Sequence, residues 1–351
     1  MPVTGRPQIL ALFQKRIEGD DALLELARLR FREAGLGAEY YVGSPEELHW
    51  LLRFRPWPDA PGVVHLPREI DLFAKEDRWK LLSFAVEFKD RIHGIVVHDQ
   101  IAIKDRLEEY KAILGEIDTA FKAVKDSPLL FIEYAAGLVP EFYCELIENI
   151  ADLQHISACV DIGHLGIRQA RDIFSRRHPD TDICGLDPFD PYLPQFIEDI
   201  QAAVKTSLPA VLRIITRLSA LGKPLHFHVH DGHPLSRSSD FGVSDHLSFL
   251  VEIPIPFLFQ GKRSLTPMFG PGGLQKIVSR LCDILAPDLI SLTLEIHPPA
   301  GRLALGNAAH LFSHWQDKTN AERMNHWLAV LGRNLRLLEQ VPAMHQRSPG
   351  V

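Results

Sequence analysis

The 351-residue sequence predicts a single α/β domain, 1–351, that folds as a closed (β/α)8 TIM barrel. Eight short apolar segments rich in β-branched residues alternate with longer amphipathic ones, which is typical of parallel strands buried on both faces and covered by helices. No Gly-rich dinucleotide-binding fingerprint follows the first strand, which disfavours an open doubly wound sheet. Six successive strands end in His, Asp or Glu, and barrel enzymes carry their chemistry at those ends.

The first five βα units follow one another at regular spacing. The predicted strands are 8–13, 38–42, 62–66, 94–98 and 129–133, and the predicted helices between and after them are 20–34, 72–89, 104–125 and 140–151. Gly35 ends the first helix, and Pro140 lies at the start of the last, where proline is favoured. Ser44 and Glu47 have the spacing of a capping box, which predicts another helix start.

Three further strands, 157–162, 225–230 and 291–296, complete the eight, and 308–338 is expected to be helical. The gaps before the last two strands are about twice what one βα unit needs, which predicts insertions after strands six and seven, at about 184–222 and 247–273. The first insertion contains two helical patterns, 195–206 and 209–221. The second is apolar and interrupted by proline. Residues 341–351 are expected to form a flexible tail.

Charge and hydropathy exclude several classes of protein. There are 38 Lys and Arg against 45 Asp and Glu, a net charge of -7, which disfavours binding to nucleic acid through bulk positive charge but leaves a local basic patch open. No apolar run is long enough to span a membrane, and no signal-peptide pattern is found. The four cysteines are widely spaced, without a CxxC pair, which disfavours a thiolate zinc site. We therefore expect a reduced, cytoplasmic protein.

The sequence contains 17 histidines, and about half of them fall at or just beyond predicted strand ends. Histidine is the commonest transition-metal ligand. The metal-capable side chains at these ends are His65, His98, Glu133, Asp161, His164, His228, His230, Asp231, Glu295 and His297. His226, His228 and His230 alternate along one strand, so all three face the barrel interior. The pattern predicts a metal site at the barrel mouth; capped or solvated residues and rim salt bridges are the structural alternative.

Four segments at the ends of strands five to eight have a familiar order: FIEYAAG at 131–137, CVDIGH at 159–164, HFHVHD at 226–231 and LTLEIH at 292–297. Together they resemble the xylose isomerase-like TIM-barrel superfamily, which includes sugar isomerases, ketose 3-epimerases and the endonuclease IV class of abasic-site nucleases. The resemblance covers about 62–297. It implies a mononuclear centre made of Glu133, Asp161, His228 and Glu295. Three carboxylates and one imidazole suit Mn²⁺, Mg²⁺, Co²⁺ or Zn²⁺.

This resemblance gives the leading hypothesis, a divalent-metal-dependent isomerase or epimerase of a small polyhydroxy substrate such as a sugar or sugar phosphate. The ion would stabilise an enediolate. Glu133 and Glu295 would remove and return the proton, and His164 would hydrogen-bond a substrate oxygen. The expected partner is this small molecule; the aromatic side chains of the second insertion leave a lid or a homo-oligomer contact open.

The nuclease branch provides the second hypothesis, a multinuclear metal-dependent phosphodiesterase with two or three ions. His65, His98 and His164 match its additional ligands, whereas Asp245 and His246 are adjacent where that branch has Asp-x-His.

His230 and Asp231 are further candidates for metal or substrate contact. A Gly-rich segment at 269–273 can cradle a phosphate, although a plain turn is the favoured interpretation. A third hypothesis is a barrel that binds metal or ligand without catalysis.

Overall fold

The computed structural model of this chain describes residues 6–13, 20–135, 137–183, 186, 191–235, 238–239, 242–243, 246–250, 268–296, 321–341 and 344. Eight parallel strands close into a barrel. Each strand pairs with the next along the chain, and the first pairs with the eighth through Gln8 and Ser291. The predicted (β/α)8 TIM barrel is therefore confirmed.

The barrel strands are short and mostly buried on both faces, as the apolar sequence runs indicated. They are β1 (Gln8–Leu12), β2 (Gly37–Tyr41), β3 (Gly62–His65), β4 (Gly94–His98), β5 (Leu129–Glu133), β6 (Ile156–Asp161), β7 (Leu225–Val229) and β8 (Ile290–Leu294). β4 and β5 have the predicted bounds, and the others differ by at most two residues at an end.

Helices cover the outside of the barrel. They are α1 (Asp21–Ala34), α2 (Pro45–Leu51), α3 (Lys75–Glu87), α4 (Leu107–Lys122), α5 (Pro140–Asn149), α6 (Ile162–Arg177), α7 (Leu193–Val204), α8 (Ser207–Ser219), α9 (Gly270–Ile284) and α10 (Ala321–Glu339). Ser44 caps α2 by accepting the Glu47 N–H at 3.3 Å. The Glu47 carboxylate accepts the N–H of Gly43 at 2.7 Å, one residue before the position that a capping box would use.

The first predicted insertion forms two helices, of which α8 packs in the main core of the barrel. α7 and α8 match the two predicted helical patterns, and α7 packs with α6 through a second apolar cluster that includes Ile167, Phe174 and Ile200. Most of the second insertion, and the segment 308–320 of the predicted last helix, lie outside the described residues. Only Val341 and Met344 of the predicted tail are described. None of the described helices is long and apolar enough to cross a membrane.

The barrel interior changes from apolar to polar along its axis. Leu10, Val63, Val96, Phe131 and Cys159 form an apolar cluster inside it. Polar side chains lie beyond this cluster, toward the carboxyl ends of the strands. Branched apolar residues usually fill all the layers of such a barrel, so a polar layer marks the end where the chemistry is expected.

Candidate metal centre

The carboxyl ends of β3 to β8 place most of the predicted side chains around one buried region. The parallel register sets His98 beside Glu133 and Asp161 beside His228. Residues at matched positions of neighbouring strands point the same way, so their side chains converge inside the barrel. The converging side chains are buried or nearly so, and they are His65, His98, Glu133, Asp161, His164, His228, His230, His246 and Glu295.

The first metal-capable group consists of His65, His98 and Glu133. The Nε2 atoms of His65 and His98 lie 3.0 and 3.2 Å from Glu133 Oε2. His65 Nδ1 is 2.8 Å from the carbonyl oxygen of Leu66, which can only accept, so Nδ1 carries the proton. The nitrogen that His65 directs at the group, and that could bind an ion, is therefore Nε2. The Tyr41 ring stacks on His65 at a centroid distance of 4.5 Å.

The second group consists of Glu133, Asp161, His228 and Glu295, the ligand set that the family resemblance implies. His228 Nδ1 lies 3.2 Å from Glu133 Oε1 and 3.2 Å from Glu295 Oε2. Its distance to Asp161 Oδ2 is 4.0 Å. The two oxygens of Glu133 thus face different groups: Oε2 faces the first and Oε1 the second.

The third group consists of Asp161, His164, His230 and His246. His230 Nε2 lies 2.9 Å from Asp161 Oδ1, and His164 Nδ1 lies 3.5 Å from Asp161 Oδ2. The rings of His230 and His246 have centroids 4.1 Å apart. His230 Nδ1 is 2.8 Å from the carbonyl oxygen of Asp231, so it carries the proton and Nε2 is the candidate ligand atom.

The chemistry of this donor set fits divalent cations. Glu133, Asp161 and Glu295 are at most 4% exposed, and their ion-pair partners in the described part of the chain are histidines. Burial of a carboxylate is costly without a counter-charge, and a divalent ion supplies more of it than an imidazole that is shared among several carboxylates. Mixed imidazole and carboxylate ligands suit Zn²⁺, Mn²⁺ and Co²⁺ better than Mg²⁺, which prefers oxygen ligands.

The crowding of charges shifts the ionisation of these groups in opposite directions. Burial raises the pKa of Glu133, but the nearby His98 and His228 outweigh it and hold that pKa well below its usual range. Burial, together with the neighbouring Glu133 and Asp161 carboxylates, raises the pKa of Glu295 despite His228. Burial lowers the pKa of His228, but the surrounding acidic groups raise it well above the ordinary value. The cluster therefore holds protons that a divalent ion would displace.

Asp231 is placed differently from the other predicted residues. Its carboxylate accepts the backbone N–H groups of Gly232 at 2.8 Å, Phe269 at 3.1 Å and Gly270 at 2.7 Å. It thus anchors the start of α9, and the Gly-rich segment offers two of its amides to this carboxylate. A structural role therefore accounts for both Asp231 and the glycine run. Asp245 and His297 lie outside the described residues.

Three buried residues at the site were not predicted. Glu39 from β2 lies within 3.0 Å of His228 Nε2 and 3.1 Å of His226 Nε2. Asp99 follows His98 and accepts the N–H groups of three residues after β5, in the same way that Asp231 follows His230 and anchors α9. Both aspartates fix loops beside candidate ligands.

Cys159 is the third unpredicted residue, because it lies close enough to His226 and His228 to form a metal-capable group with them. Burial raises the pKa of its thiol, which keeps it protonated and a poor ligand. The described cysteines are not joined in disulfides.

Comparisons with known proteins add little to this geometry. No protein-family model matches the chain, and no curated protein matches it. Among solved structures, the biosynthetic arginine decarboxylase of Campylobacter jejuni is similar at 13% identity and a TM-score of 0.43, covering 94% of this chain and 56% of that one.

Two structures of the carboxyl transferase domain of Rhizobium etli pyruvate carboxylase are similar as well. The one with pyruvate has 11% identity and a TM-score of 0.37, covering 99% of this chain and 50% of that one. The one with 3-hydroxypyruvate has 9% identity and a TM-score of 0.38, covering 99% and 49%. This chain spans about half the length of these proteins. The similarities are too low to indicate a function, and membership of the xylose isomerase-like superfamily stays a prediction.

Proposed function

We propose that the protein is a divalent-metal-dependent hydrolase of phosphate esters that uses more than one ion at the barrel mouth. One observation carries the proposal: the three metal-capable groups share their carboxylates. Glu133 belongs to the first and second groups, and Asp161 to the second and third. Shared carboxylates bridge neighbouring ions in multinuclear sites, where the ions lie about 3.5–4 Å apart.

Each group has enough donors to hold an ion of its own. His65, His98 and Glu133 offer two imidazoles and a carboxylate; the second group offers three carboxylates and His228. The third offers three imidazoles and Asp161. When bound, two or three such ions would polarise a phosphate oxygen and lower the pKa of an attacking water. Protein ligands that leave positions open to substrate are characteristic of catalytic rather than structural sites.

The chain's own residues hold this arrangement in place. Asp161 Oδ1 accepts the backbone N–H of His164 at 2.8 Å, which fixes the start of α6 and holds the carboxylate toward the second and third groups. Tyr41 packs on His65 and orients that ring. The net charge of -7 supports a small phosphate ester rather than a nucleic acid as substrate, because an acidic protein is not drawn to a polyanion.

A mononuclear isomerase or epimerase is the second candidate. The observation that favours it is that Glu133, Asp161, His228 and Glu295 form a complete ligand set by themselves. We rank it second because a single ion would leave the histidines of the first and third groups without a role. This order reverses the ranking that the sequence suggested.

Metal content and substrate turnover test the proposal together. The purified protein, reloaded separately with Zn²⁺ and Mn²⁺, is analysed for ions per chain and then assayed with bis-p-nitrophenyl phosphate, p-nitrophenyl phosphate, abasic-site DNA and a panel of ketoses. Two or three ions with hydrolysis of a phosphate ester support the proposal. One ion with ketose interconversion supports the isomerase instead. Tight metal retention without turnover of any of these substrates would indicate a non-catalytic barrel.

A further inference from the structure

Glu39 lies directly beneath the candidate metal centre. It projects from β2 into the barrel and is 0% exposed. Its two oxygens have separate partners. Oε1 is 3.0 Å from His228 Nε2, whereas Oε2 is 3.1 Å from His226 Nε2 and accepts the hydroxyl of Thr293. Glu39 therefore contacts a candidate metal ligand from the side opposite the other carboxylates.

The two nitrogens of His228 face different surroundings. Nδ1 points to Glu133 and Glu295, at 3.2 Å from each. Nε2 lies 3.0 Å from Glu39 Oε1. Neither of these two buried atoms makes a hydrogen bond within the described part of the chain, so a donor position and an acceptor position face each other unused. A neutral imidazole has one N–H and one lone pair. If Nδ1 is to bind an ion, Nε2 must carry the proton, and Glu39 is the acceptor placed to receive it.

We propose that Glu39 is a positioning residue that holds His228 in the Nε2–H tautomer and so presents Nδ1 to a divalent ion. A carboxylate behind a metal-binding histidine fixes the ring and raises its basicity as a ligand. The inference rests on the metal centre used by the proposed function, but it depends neither on the number of ions nor on the substrate.

The rest of the polar layer keeps Glu39 in this position. His226 Nδ1 lies 2.7 Å from the Ser291 hydroxyl, and the His226 ring stacks on Phe131 at a centroid distance of 5.3 Å. His226 and Thr293 both engage Oε2, which leaves Oε1 directed at His228. The network runs from β2 through β7 to β8, so the carboxylate is held from several strands.

The same side chains allow an alternative arrangement of metal ligands. Glu39, His65 and His228 also form a metal-capable group, in which Glu39 would itself be a ligand. His228 would then bind through Nε2, and its Nδ1 would carry the proton of the hydrogen bond that it makes with Glu133 Oε1 at 3.2 Å. The two arrangements differ in which nitrogen of His228 carries the proton.

Long-range ¹H–¹⁵N spectra of the Zn²⁺-loaded wild-type protein, labelled at histidine, distinguish them. We expect His228 to show a metal-bound Nδ1 and a protonated Nε2. A metal-bound, unprotonated Nε2 would overturn the proposal. This measurement needs no variant, so it decides the question even if a substitution at Glu39 prevents folding. A wild-type protein that binds no Zn²⁺ at all would refute the proposed function as well, which separates the two failures.

The isosteric Glu39→Gln variant adds a measure of the effect. Glutamine has one acceptor oxygen where glutamate has two, so it cannot accept from both sides of the network. Its NH₂ group would occupy the place of a carboxylate oxygen and would face either His228 Nε2 or the Thr293 hydroxyl. We expect the Zn²⁺ affinity, measured by competition with a chromophoric chelator, to fall about 10–100-fold, and His228 to lose the single Nε2–H signature. Glu39→Gln protein that keeps both the wild-type affinity and the wild-type tautomer would contradict the proposal.

Two variants serve as matched controls. Thr293→Val removes one of the two partners of Glu39 Oε2 but leaves the contacts of Glu39 with His226 and His228, so we expect a smaller loss of Zn²⁺ affinity than in Glu39→Gln. Asp118→Asn neutralises a different buried carboxylate, which accepts the backbone N–H of His155 just before β6, at the opposite end of the barrel. It should lower stability without changing the Zn²⁺ affinity. An equal loss of affinity in all three variants would mean that Glu39 acts only through general stability.

Discussion

The imidazole of His230 lies against the backbone of Gly163, where three of its ring atoms would be 2.0, 2.4 and 2.7 Å from an added β-carbon. Gly163 is in the first turn of α6, and His230 follows β7. No side chain fits between Gly163 and this ring. The position of His230 beside Asp161 therefore requires a glycine at the start of α6. The third metal-capable group exists only because residue 163 has no side chain.

Gly163→Ala is therefore expected to displace His230 and remove the third ion while leaving the first two groups intact. Elemental analysis of gel-filtered, metal-loaded protein would show one ion fewer per chain than wild type. Gly166→Ala is the matched control in the same helix, because its β-carbon would meet Phe269 rather than a histidine. Gly115→Ala, where the space is open, should change neither metal content nor structure. Full metal content in Gly163→Ala would contradict the assignment of His230 to a metal.

Substitution of Glu133 should lower the number of bound ions per chain more than substitution of His246. Glu133 belongs to two groups, so Glu133→Gln is expected to release more than one ion per chain and to lower phosphate-ester hydrolysis by at least about 10–100-fold. His246 belongs to one group, so His246→Gln should release no more than one ion. Metal content and turnover measured on the same preparations test this. Equal losses in the two variants would argue against shared carboxylates.

The fold was predictable because most barrel strands are short apolar runs and because the strands from β3 to β8 carry a polar residue at or just after their ends. Gly94–His98 and Leu129–Glu133 have the predicted bounds, since both strands are buried on two faces and end where the backbone reaches the barrel mouth. Helix starts were less predictable. α9 begins at Gly270, inside the Gly-rich segment for which a plain turn was the favoured interpretation, because the Asp231 carboxylate binds the amides there.

The site was predictable only in part. The strand-end histidines and carboxylates stand out in the sequence, but pairing between distant strands does not. Glu39 lies in the short strand GAEYY, where the alternation of side chains alone predicts a solvent-facing glutamate. The feature that could have identified it is a charged residue inside an otherwise buried parallel strand. Its contact with His228 spans almost two hundred residues, and only barrel closure brings the two together.

Removal of the metal is expected to destabilise the fold measurably. Without ions, the carboxylates of Glu133, Asp161 and Glu295 lie buried close together, and their repulsion favours unfolding. An ion that binds only the folded chain adds about 2.7 kcal/mol per site at a concentration 100 times its Kd. Thermal unfolding after chelation, and again after Zn²⁺ is restored, would show the Tm falling and recovering. An unchanged Tm would mean that the centre holds no ion in the folded protein.

Asp118 should make the protein sensitive to acid independently of the metal centre. Burial raises the pKa of its carboxyl group, but the hydrogen bonds from Lys122 Nζ, at 2.7 Å, and from the His155 N–H outweigh burial and hold the pKa below its ordinary value. The ionised form is thus favoured in the folded state. Its stabilisation is complete above the unfolded pKa of about 3.9 and is lost as the pH falls through the lower folded pKa.

Asp118→Asn removes this contribution, so the variant should be less stable than wild type by about 1–3 kcal/mol at pH 7. The difference should persist at pH 5 and shrink below about pH 4. Urea unfolding of chelated wild type and variant at pH 7, 5 and 3 measures it, because chelation makes the metal centre contribute equally to both. Glu116→Gln, at an exposed carboxylate on the same helix, is the control and should show no such pH-dependent difference. A difference for Asp118→Asn that stays constant down to pH 3 would show that its effect is packing rather than charge.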